Sequence, residues 1–226
     1  MTDTRRLGRR LPQLFLGLVL YALSIAMVVH PALGSMPWDV LSQGMAKQLN
    51  WSLGTAVLVS SVIVLLCWIP LRQRPGVGTV ANVLVIGLMT DPFVALLDLL
   101  PTDQPLVARA GMMVAGIALN GLAGALYIGS RLGPGPRDGL MTGLVARTGG
   151  RVALIRGGIE LTVVVIGWAL GGTVGVGTVL YALAIGPILG WLMPKFAVAL
   201  PGDTEPAGQE AAQGRQGEAA ADVAPA

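Results

Sequence analysis

Gly76-Val77-Gly78-Thr79-Val80 returns letter for letter as Gly175-Val176-Gly177-Thr178-Val179, 99 positions further along the chain. Held in that register, the two halves align without a gap. Arg10 falls on Arg109 and Gly17 on Gly116, and Leu33-Gly34 falls on Leu132-Gly133. Pro37, Asp39, Leu41 and Gly44 fall on Pro136, Asp138, Leu140 and Gly143, and Leu84, Ile86 and Gly87 on Leu183, Ile185 and Gly186. Apolar letters coincide by chance in any hydrophobic sequence, but Gly, Pro, Asp and Thr in one register do not. Self-similarity at a fixed period marks a chain built from copies of one structural unit.

That unit is read from its apolar runs. A helix needs about twenty apolar residues to cross a bilayer, and each half carries three. They are Leu11–Val29, Ser52–Leu71 and Thr79–Leu100, then Val107–Gly129, Val152–Gly171 and Thr178–Phe196. Trp38–Leu49 and Arg137–Thr148 mix polar and apolar residues, are too short to span, and read as re-entrant or interfacial helices. The expected fold is therefore an all-α membrane protein with six transmembrane helices. A basic N-terminus (1–10) precedes repeat 1 (11–100) and repeat 2 (107–198). Because three is odd, the second copy enters from the opposite face, so the repeats are expected to be inverted. Residues 199–226, rich in Ala, Gly, Gln and acidic residues, have the composition of a disordered tail.

Charge agrees with this. Lys and Arg gather in cytoplasmic loops. With the N-terminus inside, the inner face holds Arg5, Arg6, Arg9, Arg10, Arg72, Arg74, Arg131, Arg137, Arg147, Arg151 and Lys195, and the outer face Lys47 and Arg109. An inner-membrane location with both termini cytoplasmic is expected. Trp38, Trp51 and Trp168 are then expected at the outer interface, with Trp68 and Trp191 at the inner one. His30 closes the first helix at the outer surface. Arg5, Arg6, Arg9, Arg10 and the Ala32-Leu33-Gly34 triplet superficially resemble a signal peptide, but the internal counterpart of this helix cannot be cleaved, so the helix is expected to be retained.

Composition fits a lipid environment: 54% of residues are hydrophobic and 12% charged, about half the charge of a soluble domain. Cys67 stands alone, which excludes an intrachain disulfide, and is expected in buried packing. A single His leaves no metal-ligand cluster or nucleophile–base set. No catalytic residue, cofactor or metal is expected, and no nucleic-acid partner.

Leu33-Gly34-x-x-Pro37-Trp38-Asp39-Val40-Leu41, then Gly76-Val77-Gly78-Thr79 with Asn82 and Ile86-Gly87-x-x-x-Asp91, resembles the first-half motifs of the YczE/YyaS/YitT-type bacterial membrane proteins. Arg156-Gly157-Gly158-Ile159-Glu160, Gly167-Trp168-Ala169-Leu170-Gly171-Gly172 and Ile185-Gly186-Pro187 resemble the second half, so the likeness runs from Arg9 to Lys195. It implies an integral membrane protein and carries no assigned activity.

Several residues stand out chemically. Gly76 and Gly78, like Gly175 and Gly177, permit a tight turn, and Thr79 and Thr178 can cap the helix that follows. The alternative reading is an anion cradle at exposed helix amides; without a strand or Lys the motif is no nucleotide-binding loop. Asp39 and Asp138 open the two short helices and read as N-caps. The richer alternative brings both N-termini to one central site from opposite faces. Arg156 and Glu160 lie four apart on one helix face, with Glu160 on the order of 10 Å into the span at 1.5 Å per residue. Ionisable residues inside a membrane are functional candidates, and the first copy has Val57 and Ser61 there. Asp91 precedes Pro92: if the helix continues it is embedded and can approach Arg156, and if the helix stops at Met89 it caps an outer segment. Asn82 and Asn120 read as interhelical hydrogen bonders, with Asn82 a further site candidate.

Two functions compete. A small-molecule or ion transporter would use Glu160 as the coupling carboxylate and Arg156 as its counter-charge or as a grip on an anionic substrate. A membrane regulator or scaffold would act through loops, tail and partners, with homo-oligomerisation open in either case.

Overall fold

The computed structural model describes residues 7–101 and 104–198; the expected tail over 199–226 and the first six residues, Arg5 and Arg6 included, lie outside them. The described residues form eight α-helices and no strand: α1 (Leu7–Val29), α2 (Pro37–Leu49), α3 (Leu53–Leu71), α4 (Val77–Leu97), α5 (Leu106–Gly129), α6 (Pro136–Thr148), α7 (Val152–Ala169) and α8 (Val176–Phe196). All but α2 and α6 are long and apolar enough to cross a membrane.

The starts of α1 to α4, moved by the same 99 positions, land on the starts of α5 to α8. Of the long helices, α1, α4, α5 and α8 begin earlier than their apolar runs suggest. Gly76 and Gly175 are extended N-caps, and the Thr79 and Thr178 hydroxyls accept from the Gly76 and Gly175 amides at 3.1 and 3.3 Å. Each Thr is thereby placed at the third helical position, where its side chain satisfies an orphan donor of the first turn.

The halves exchange equivalent contacts. The Gly78 amide donates to the Leu132 carbonyl at 2.8 Å and the Gly177 amide to Leu33 at 2.9 Å. Arg10, at the start of α1, donates to the Ser130 and Arg131 carbonyls just past α5 (2.9 and 2.8 Å). Arg109, near the start of α5, donates twice to the Pro31 carbonyl just past α1 (3.0 and 2.6 Å). Both clasps require α1 and α5 to run antiparallel. Gly17 and Gly116 let them approach: a methyl at Gly17 would stand 2.8 Å from the Tyr127 amide nitrogen and one at Gly116 2.8 Å from Val28. Small residues serve this purpose where helices pack without a hydrophobic driving force.

Around this central pair, α4 packs on α1 and α8 on α5, while α2 packs on α7 and α6 on α3. Leu14, Leu18, Ile25 and Ile117 form the core, and Ile69 and Leu183 lie on the periphery at 72% and 71% exposure. Such apolar faces suit lipid contact. The symmetry fails at one seam: α3 packs along α4, whereas α7 and α8 barely touch.

Candidate functional site

α2 and α6 meet head to head. Each opens with Pro at its first position, behind the extended caps Met36 and Gly135; Pro suits that position because its missing N–H would have no helical partner. The second residues, Trp38 and Arg137, lie against each other, the Arg137 guanidinium 5.1 Å from the Trp38 ring centroid. Both line a cavity with Tyr21, well inside α1. From there the helices diverge, Lys47 bonding the Gly171 carbonyl beyond α7 and Arg147 the Pro70 carbonyl near the end of α3. The Trp68 indole donates to the Pro136 carbonyl at 3.0 Å and fixes the start of α6.

This corrects three expectations. Trp38 is central and not interfacial, and Arg137 is no loop charge, because α2 and α6 begin in the interior. Asp39 and Asp138 do not cap: they occupy the third helical position, and the cap positions belong to Met36 and Gly135. Asp138 instead accepts a hydrogen bond from the Tyr127 hydroxyl. Asp39 is 0% exposed, and Arg137 Nη2 stands 3.7 Å from its Oδ1, too far for a hydrogen bond. Among the described residues neither Asp39 oxygen accepts one.

Two cavities flank this junction. The larger, about 80 Å³, is lined by Tyr21, Trp38, Arg137, Arg156, Glu160 and Tyr181 among others. The smaller, about 50 Å³, is lined by Tyr21, Val57, Ser61, Asn82, Tyr127 and Arg137 among others. The 99-residue shift carries Val57 to Arg156, Ser61 to Glu160 and Asn82 to Tyr181. The cavities are therefore counterparts that share Arg137 and Asp138 and differ at these positions, where one carries a charged pair and the other an aliphatic and a hydroxyl. Arg156 Nε reaches Glu160 Oε1 at 3.0 Å, and both side chains keep partial exposure, as the loose α7–α8 seam requires.

The remaining candidates fall elsewhere. α4 runs through Pro92 to Leu97, yet Asp91 does not reach Arg156: its Oδ1 accepts from the Gly54 amide at 2.6 Å and holds the first turn of α3. Asn82 lines the smaller cavity. The glycine turns are clasps and not an anion cradle, since the Gly76, Gly78, Gly175 and Gly177 amides all have partners within the chain; the Thr79 hydroxyl also donates to the Pro134 carbonyl at 2.7 Å. Cys67 is exposed, contrary to the buried placement expected, because it lies on the outward face of α3. His30 Nδ1 lies 3.4 Å from Asp98 Oδ1.

Tyr21, Tyr127 and Tyr181 escaped the sequence reading. Tyr21 and Tyr127 pack edge to face with centroids 6.1 Å apart. Tyr181 donates to Asn120 Oδ1 at 3.1 Å, and Asn120 Nδ2 to Ser24 Oγ at 2.9 Å. The signal was available: these are the chain's three tyrosines, and all fall within apolar spans.

The family model DUF6198, a family of unknown function, matches residues 8–194. The chain belongs to DUF6198. The match takes in all eight helices but the edges of the first and last. An uncharacterized protein of Haemophilus influenzae is 40% identical over 179 residues, 77% of this chain and 81% of its own. The uncharacterized membrane protein YczE of Bacillus subtilis is 31% identical over 183 residues, 80% of this chain and 84% of its own. The uncharacterized protein YyaS of Bacillus subtilis is 23% identical over 180 residues, 79% and 90% respectively. No solved structure matches. This DUF6198 protein is thus a membrane protein of the YczE/YyaS type, with six helices among the described residues long and apolar enough to span.

Proposed function

We propose that the protein is a secondary transporter of a small molecule or ion, with its substrate site where two inverted repeats meet. The observation that carries this reading is the meeting of the α2 and α6 N-termini beside Tyr21, with counterpart cavities on either side. Paired half-helices whose positive ends face a central site are the construction many secondary transporters use. Here α2 and α6 are re-entrant, the termini lie in the cytoplasm and the membrane is the bacterial inner membrane. The closed α3–α4 seam and the loose α7–α8 seam are the two states a rocking motion exchanges. Glu160 serves as a coupling carboxylate with Arg156 as its counter-charge, and the protein is not an enzyme.

The test is the thermal stability of detergent-purified protein against a panel of metabolites and ions, with Glu160→Gln alongside. A ligand at one hundred times its Kd raises stability by about 2.7 kcal/mol. A ligand that stabilises wild type and not the folded Glu160→Gln supports the site, and its uptake into proteoliposomes completes the case. A panel without effect, with Glu160→Gln merely lowering Tm, makes the pair structural and moves a regulator or scaffold ahead.

A further inference from the structure

Three carboxylates and two guanidinium groups gather at the junction: Asp39, Asp138 and Glu160 against Arg137 and Arg156. Glu160 has Arg156 at 3.0 Å and Asp138 has the Tyr127 hydroxyl. Asp39 has no hydrogen bond and faces Arg137 across 3.7 Å. Asp39 is therefore the one of the three left without a hydrogen-bond donor, and it is fully buried. Burial of a carboxylate without donors favours its neutral form. A metal cation would have to share it with the guanidinium, which repels like charge. A proton does not.

We propose that Asp39 is the proton-loading group of the junction and Arg137 its anion receptor, so that a small anion and one proton bind together. The inference rests on the transporter reading and names its substrate class. With Asp39 ionised, Arg137 is held as its counter-charge. When a proton from solvent adds to an Asp39 oxygen, that pairing lapses and the guanidinium is free for another anion. Its planar fork suits a carboxylate or oxyanion, the converging N-termini of α2 and α6 add partial positive charge, and a cavity of about 80 Å³ admits only a few heavy atoms. Arg137 lines both cavities and can present the anion to either. The other titratable groups facing the junction are the Arg156–Glu160 pair on α7, Asp138 on α6, Tyr21 on α1 and Tyr181 on α8. On its own helix Ser42 faces Ser60 of α3, and Lys47 is engaged with Gly171.

The experiment uses the purified full chain with sodium nitrate, acetate and sulfate as probes between pH 6 and 8, where none of them titrates. Affinity is read by thermal shift, and proton uptake by an indicator dye in weak buffer. Wild type is expected to take up about one proton per anion bound, and its Kd for nitrate or acetate to rise about tenfold per pH unit once Asp39 ionises. Asp39→Asn should bind the anion at every pH with no proton uptake, Arg137→Gln should not bind while remaining folded, and Asp91→Asn, which touches neither cavity, should keep the uptake. Anion binding without proton uptake in wild type overturns the proposal, whether or not any variant folds. So does loss of binding in a folded Asp39→Asn, or an inert panel. If anion and proton bind together but neither crosses a vesicle membrane, the assignment stands and the transporter reading fails. If another solute crosses while the anions leave Arg137 unoccupied, the reverse holds.

Discussion

Arg10 and Arg109 do the same work from opposite ends of the central helix pair, each guanidinium closing on carbonyls where the partner helix ends. A cation near a helix C-terminus is favoured by the helix dipole and supplies donors the last turn lacks. Arg10→Ala should therefore lower unfolding stability by about 1–3 kcal/mol, measured as a shift in the denaturant midpoint. Arg10→Lys should recover only part of it, because a point ammonium cannot hold two carbonyls in a fork. Asp91→Asn should weaken the start of α3 by about 1 kcal/mol in the same assay, while leaving ligand stabilisation at the junction unchanged, since Asp91 touches Gly54 and not the cavities. At this scale the sequence was least informative. Asp39, Asp138 and Asp91 are carboxylates near helix ends or prolines, and composition cannot say which becomes a cap, which meets a tyrosine and which is left unpartnered. Those outcomes depend on partners in other helices: Arg137 for Asp39, Tyr127 for Asp138 and Gly54 for Asp91.

Helices are a different matter, because each is decided by some twenty consecutive residues. The six long helices and two short ones were legible from apolar runs, turn glycines and Pro, with boundaries shifted by a few residues where Thr79 and Thr178 extend the first turn. The spatial start of α2 and α6 was not. Trp38 and Arg137 are residue types that also favour membrane surfaces, and only packing against Tyr21 and Trp68 identifies them as central. Trp68→Phe keeps an aromatic ring but loses the second ring of the indole and the bond to Pro136, leaving a buried carbonyl unpartnered beside a small void. It should destabilise the fold by about 1–3 kcal/mol and weaken anion binding at Arg137, as paired thermal shifts with and without ligand would show. The loose α7–α8 seam belongs to this scale as well. Its first-half counterpart is closed, so the asymmetry lies in arrangement and not in the pattern of runs.

For the molecule as a whole, the decisive question is whether the halves face opposite ways in the bilayer. Asn50 and Gly149 are related by the 99-residue shift, and each ends a short helix in a left-handed conformation (φ 52° and 65°). In a Cys67→Ala background, Asn50→Cys should react with a membrane-impermeant maleimide from outside intact cells, and Gly149→Cys only after permeabilisation. Labelling of both from one side would remove the inversion and with it the transporter reading. The reciprocal bonds between halves also bear on synthesis. Arg10 and Gly78 are made early, yet their acceptors at 130–132 are translated much later, and Leu33 waits longer still for Gly177. A ribosome that has delivered only the first half has released a chain in which Arg10 and Gly78 still wait for the carbonyls at 130–132. The two halves expressed as separate polypeptides should each be degraded alone and recovered only together, making the order of translation, more than the stability of either half, the constraint on how this protein matures.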